Sequence, residues 1–195
     1  MNELMTARSL TTRPVVTLGG DAVAHVKDTV CDAAAARITG FTLTGRGLLS
    51  GPLKEGLPWS AVYALGHDAV MVRGRQGLVS AAAMTAHQQT VRARVLGARV
   101  VTEAGTEVGT VLDVVVEGGT GGRVVGFRIA ASRGFAPGPT RHRRRVYVPR
   151  GGGTLEVAGR ALVLPGEAVR HVADDLSGFT ALVCGVPGVR RGSLP

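Results

Sequence analysis

Aromatic residues make up only 4% of the 195-residue chain, so its cores must be built from Val, Leu and Ala rather than from rings. Cysteine is as scarce: Cys31 and Cys184 lie far apart, with no CxxC and no nearby ligand pair, which leaves zinc and dithiol chemistry without support. Both read as small apolar residues of a reducing compartment. Lysine is nearly missing, since only Lys27 and Lys54 occur and arginine supplies the rest of the positive charge. No apolar run reaches the roughly 18 residues a membrane-spanning helix needs. The longest candidate, Phe179 to Val189, is interrupted by Gly185, Pro187 and Gly188. The opening MNELMTARS lacks a basic segment followed by an apolar one, so no signal peptide is expected. A soluble, cytoplasmic protein without a membrane span is the expectation.

What is present is apolar, glycine-rich and basic. Apolar residues form 45% of the chain, enough for one or two cores, and the 29 glycines fall between apolar runs, as turns require. The net charge of +9 is uneven. Residues 1–90 carry eight basic and six acidic side chains, a net of +2, whereas residues 91–195 carry fifteen and eight, a net of +7. Arginine codon bias explains such a balance as readily as an anionic partner does, whether nucleic acid, an acidic protein face or a lipid surface.

The stretch from Gly97 to Ile129 reads as a β-hairpin: β-branched runs on either side of Gly118-Gly119-Thr120-Gly121-Gly122. A second copy lies upstream. Gly20, Val23, Val26 and Asp28 align with Gly105, Val108, Val111 and Asp113 at a constant offset. Gly40-Phe41 then aligns with Gly126-Phe127, Pro58 with Pro149, and Ala69-Val70-Met71-Val72 with Ala161-Leu162-Val163-Leu164. The fold class is therefore all-β, two small β-barrels in tandem with short helical or irregular linkers. The expected divisions are a first domain over 10–76, a linker over 77–93, a second domain over 94–175 and a tail over 176–195.

In chain order, residues 1–12 read as a frayed start. Strands are expected over Arg13–Thr17, Ala22–Cys31 and Ile38–Thr44, followed by an exposed loop from Gly45 to Gly56. Residues 57–65 close the copy, and a last strand runs from Ala69 to Arg73. Leu78–Ala93 has the composition of either a short helix or an extended linker. In the second copy, Ala168, Val169, Val172 and Leu176 have helical spacing, which predicts a short amphipathic helix within Gly166–Leu176 covering a barrel end. The segment from Val186 reads as a disordered end.

One segment departs from its counterpart. Where the first copy has the Gly45–Gly56 loop, the second has SRGFAPGPTRHRRR, with Arg133, Phe135, Arg141, His142, Arg143, Arg144 and Arg145. A run of cations repels itself and stays solvated unless an anionic surface meets it. The arginine fork suits phosphate and carboxylate, and Phe135 could stack on a base or enter a partner groove. These seven residues are the candidate partner or anion site.

Catalysis finds no such constellation. The histidines, His25, His67, His87, His142 and His171, form no HxxxH or HExxH. His67-Asp68 are adjacent in a turn, where side chains usually point apart, and no nucleophile accompanies them. Trp59 reads as a core or lid residue rather than a ligand platform. No glycine cluster is followed by Lys-Ser or Lys-Thr and a helix. No enzyme activity, cofactor or metal is expected.

The repeat resembles the PRC-barrel family, the small barrels of the cytoplasmic part of the photosynthetic reaction-centre H subunit and of the C-terminal domain of a ribosome maturation factor. In the second copy Gly105, Val108, Gly109, Val111, Asp113, Val114, Gly119-Thr120-Gly121, Val124, Gly126, Phe127, Val148-Pro149 and Ala161-Leu162-Val163 carry the likeness. In the first copy Gly20, Val26, Asp28, Gly40-Phe41, Leu57-Pro58-Trp59-Ser60, Ala61-Val62 and Gly66-His67-Asp68-Ala69-Val70 carry it. The resemblance implies an interaction module without a catalytic centre. It sets a protein-docking adaptor, partner unnamed, beside an RNA- or ribosome-associated factor that binds RNA or a ribosomal protein through residues 133–145. A homodimer is expected if the two copies do not complete each other within one chain.

Overall fold

The structure is a computed structural model that describes residues 3–32, 35–47, 50–85, 89–90, 95–135, 144–151, 156–158 and 161–185. The chain forms two compact units, Met1–Arg94 with Val116–Val124, and Val95–Val115 with Val125–Pro195.

Unit 1 begins with strand β1 (Leu4–Thr6) and a single helical turn, α1 (Ala7–Leu10). This corrects the frayed start. Leu4, Met5, Ala7 and Leu10 are buried, and Thr6 caps the turn by accepting the Ser9 amide on its hydroxyl. Then come β2 (Pro14–Thr17), β3 (Ala22–Asp32), β4 (Arg37–Thr44), β5 (Pro52–Pro58), a 3-10 turn (Trp59–Ala61), β6 (Val62–Leu65) and β7 (Val70–Val72). The expected Gly45–Gly56 loop is thus shorter, because Pro52 to Gly56 pairs along β4. The segment read as helix or linker is both: β8 (Val79–Ser80), α2 (Ala81–Thr85) and β9 (Gln89–Thr90). The sheet order is β6-β7-β2-β3-β4-β5-β8, with β9 added on β3.

Unit 2 repeats the plan with β10 (Arg99–Thr102), β11 (Glu107–Glu117), β12 (Val124–Ala131), β13 (Arg145–Pro149), β14 (Glu156–Ala158) and β15 (Ala161–Leu164). Its order, β13-β12-β11-β10-β15-β14, read from the other end, matches β6-β7-β2-β3-β4-β5 of unit 1, and β8 has no counterpart among the described residues. Both sheets are antiparallel except at one seam. There β2 runs parallel to β7 (Val15 opposite Val70) and β10 parallel to β15 (Val100 opposite Leu162). Each sheet curls around a core of alternating apolar side chains, among them Val26, Phe41 and Leu57 in one and Val111, Phe127 and Val148 in the other, all buried. Full burial of such a side chain contributes about 1.5–3 kcal/mol.

The repeat extends to single hydrogen bonds. Both first hairpins carry a bulge, at Val15/Val16 and at Val100/Val101, and turn on glycines at φ 92° (Gly20) and 80° (Gly105). Both acidic positions accept the following backbone N–H, Asp28 from Thr29 at 2.8 Å and Asp113 from Val114 at 2.9 Å. Gly40 pairs with Pro58 as Gly126 pairs with Pro149.

After β15 the chain makes one 3-10 turn, Ala168–Arg170, and not the helix expected over Gly166–Leu176. The helix, α3, spans Leu176–Cys184 instead. Its start is set by Asp175, whose carboxylate accepts the Gly178 amide at 2.7 Å, and its end by Gly185 in the left-handed conformation. Spacing alone did not reveal that cap. Residues 186–195, read as a disordered end, lie outside the described residues.

Candidate functional site

The basic segment of unit 2 lies between β12 and β13. Its base is tied down by backbone: the Ser132 amide donates to the Val108 carbonyl at 2.8 Å, and the Ala131 amide donates to the Arg144 carbonyl at 2.8 Å. The Ser132 hydroxyl donates to the Glu107 carbonyl at 2.9 Å and accepts the Phe135 amide at 3.2 Å. These bonds bring Arg133 to the same end of the sheet as the adjacent Arg144 and Arg145.

The described candidates behave differently there. Arg144 donates through Nε and Nη2 to one carboxylate oxygen of Asp174, at 3.0 and 2.6 Å, so its charge is compensated. Arg133 and Arg145 are exposed, and no ion pair engages either among the described residues. Phe135 is half-buried, which leaves it less ring surface than a free stacking platform has. Arg141, His142 and Arg143 lie outside the described residues.

One cation escaped the sequence reading. Arg128 lies within β12 directly opposite Tyr147, on the face away from Phe127 and Ile129. A charged residue in the middle of an apolar strand was the available signal.

In unit 1, Trp59 is half-buried and packs rather than presents its ring. A Cβ built on Gly122 would lie 2.5 Å from the indole, and Phe41 sits with its centroid 6.1 Å away. His67 and Asp68 do not point apart, as adjacency in a turn suggested. Nδ1 of one lies 2.8 Å from Oδ1 of the other, both well exposed, because the turn between β6 and β7 puts both side chains in solvent. Arg13 reaches the Gly66 carbonyl at 2.5 Å and the Ser9 carbonyl at 3.0 Å. Burial holds its pKa below the usual arginine value, against the opposite pull of Asp68 and Glu3.

Among the described residues no group of three or more His, Cys, Asp or Glu is placed to hold a metal ion, and no helix is long and apolar enough to cross a membrane. No curated protein matches the chain. The model of the PRC-barrel domain does match it, and does so twice, over residues 2–79 and 92–170. Those limits take in β1 to β7 and β10 to β15, and leave out β9, α2 and α3. With two matches over most of its length and the same strand order in both units, the chain belongs to the PRC-barrel domain family as a tandem pair.

Proposed function

We propose that this tandem PRC-barrel protein is a non-catalytic docking module that engages an acidic protein partner through the β12–β13 end of unit 2. The observation that carries the reading is the pair of exposed arginines, Arg133 and Arg145, held at that end without a counter-ion among the described residues while their neighbour Arg144 is neutralised by Asp174. An arginine fork offers an incoming carboxylate two parallel donors. The absence of catalysis is part of the proposal: His67 is bonded to Asp68 and, among the described residues, to no nucleophile that the pair could activate.

The test is capture from native lysate, with and without nuclease, by the wild type and by the double charge reversal Arg133→Glu/Arg145→Glu. A nuclease-resistant protein partner lost on charge reversal supports docking through this end. Recovery that disappears with nuclease replaces it with an RNA-associated function, and a partner kept by the reversed protein moves docking elsewhere.

A further inference from the structure

Arg128 is costly where it stands. Its Nε is shielded from solvent and has no hydrogen-bond partner among the described residues. A buried donor left unbonded is a net loss to the fold, and more so on a charged group. The register then places a second cation beside it. Arg128 faces Tyr147 across the ladder, and the next outward pair along the same face is Ala130 with Arg145. Diagonal neighbours of this kind are about 7–8 Å apart, and like charges so placed repel. Neither guanidinium has an ion-pair partner among the described residues, and Asp174, an acid at this end, is already bound by Arg144.

The surroundings give this pair a shape. The Phe179 ring lies over Gly126, where a Cβ would collide with it, and meets the Tyr147 ring at a centroid distance of 5.9 Å. That stack walls one side of Arg128. Toward Arg145 the next outward side chain on β12 is only the methyl of Ala130. Two unneutralised forks, one half-sunk beside an aromatic wall and one exposed, are the arrangement in which a single oxyanion would satisfy both.

We propose that Arg128 and Arg145 form a receptor for a carboxylate presented by an acidic segment of a partner protein. A phosphate shares the charge and the acceptor geometry. The protein source is favoured because one side of the Tyr147 ring is already taken by Phe179, which leaves a base less ring to stack on than an open platform has. The proposal deepens the docking reading by naming the group that the partner brings.

The test uses the full chain as wild type, Arg128→Met, Arg145→Gln and the control Arg99→Gln, whose arginine faces Glu107 at 3.7 Å. Thermal unfolding is followed in chloride and in inorganic phosphate at equal ionic strength, and a hexaglutamate peptide is titrated by calorimetry. Arg128→Met, which removes the unsatisfied donor while keeping an unbranched apolar stem, should melt a few degrees higher in chloride, by the usual conversion for a chain of about this size. Phosphate should raise the melting temperature of the wild type and of the control, and leave both site variants unmoved. Hexaglutamate should bind the wild type and the control at least fivefold more tightly than either site variant.

A phosphate effect equal in all four proteins overturns the receptor, as does peptide binding unchanged in Arg128→Met. A single-stranded RNA that binds in place of the peptide, with the same dependence on Arg128, overturns the protein source. The two readings fail separately. A phosphate and peptide response that follows Arg128, together with unchanged lysate capture by the charge-reversed protein, leaves the receptor and removes the docking role; the opposite pattern removes the receptor alone.

Discussion

Thr12 and Gly97 occupy the same place in the two repeats and adopt the same left-handed backbone, with φ 72° and 79°. Each donates its N–H to the carbonyl of an equivalent valine, Thr12 to Val26 at 2.8 Å and Gly97 to Val111 at 2.9 Å. The second repeat meets the requirement with glycine, which adopts this region freely; the first meets it with a β-branched residue, for which it is strained.

Thr12→Gly should therefore stabilise the protein. Relief of strain is worth about 1–2 kcal/mol, and the extra unfolded-state freedom of glycine takes back about 0.5–1 kcal/mol. The Thr12 side chain is exposed, so little packing is lost. The expected outcome in a thermal melt is a rise of about 1–3 °C, with Gly97→Thr falling by a similar or larger amount. A lower melting temperature for Thr12→Gly would mean that the threonine side chain contributes more than its backbone costs.

Gly126→Ala tests how unit 2 holds its helix. A Cβ there would collide with the Phe179 ring and lie 2.5 Å from the Val148 carbonyl oxygen. In unit 1 a Cβ on Gly40 would meet the Leu57 carbonyl at 2.5 Å and Met84 Sδ of α2 at 2.7 Å. The equivalent strands β4 and β12 thus each carry a glycine notch filled by a side chain from a helix beyond the family match. Each alanine should cost about 1–3 kcal/mol by overpacking, and Phe179→Ala about 3–5 kcal/mol because Phe179 is fully buried. Met84 is only half-buried, so Met84→Ala should cost less than Phe179→Ala in urea unfolding.

The notch glycines were legible in the sequence and their occupants were not. Gly40-Phe41 and Gly126-Phe127 align on sight, and with them the correspondence of the two repeats. Short apolar elements in polar settings were harder. Leu4, Met5 and Leu10 are too few to show a period, and α3 announces itself only through the Asp175 cap, which looks like any Asp-Asp pair. Arg128 was hidden for a different reason: strand alternation correctly puts it on the outer face, and only the three-dimensional packing of Phe179 and Tyr147 shows that this face is covered.

The lone tryptophan gives unit 1 a reporter. Gly122 sits at φ 60° against the indole of Trp59, and its turn is bonded into the unit by Leu65 and Gly119, which exchange two hydrogen bonds of 2.8 Å, and by the Ile38 amide to the Gly122 carbonyl at 2.7 Å. Gly122→Ala should displace the turn from the ring. The expected result is a red shift of Trp59 emission under native conditions with a cost of about 1–3 kcal/mol. Unshifted emission would show that the indole follows the turn.

The two cysteines should separate by reactivity and by pH. Cys184 is exposed at the end of α3, whereas the Cys31 thiol is pushed up to about 12, mainly by burial and further by Asp28 and Asp32 on the same strand. Only the thiolate attacks an alkylating reagent, so at pH 8 iodoacetamide should modify Cys184 within minutes and leave Cys31 intact until the protein unfolds. The same shift predicts a stability trend. A thiol whose folded pKa lies above the unfolded value, about 8.5, favours the folded state fully below that pH, and its contribution is lost as pH rises from about 8.5 toward 12. Across that window the wild type should lose stability faster than Cys31→Ala, measured by urea unfolding at matched pH. Parallel pH profiles, or early labelling of Cys31, would place that thiol in water rather than inside the sheet.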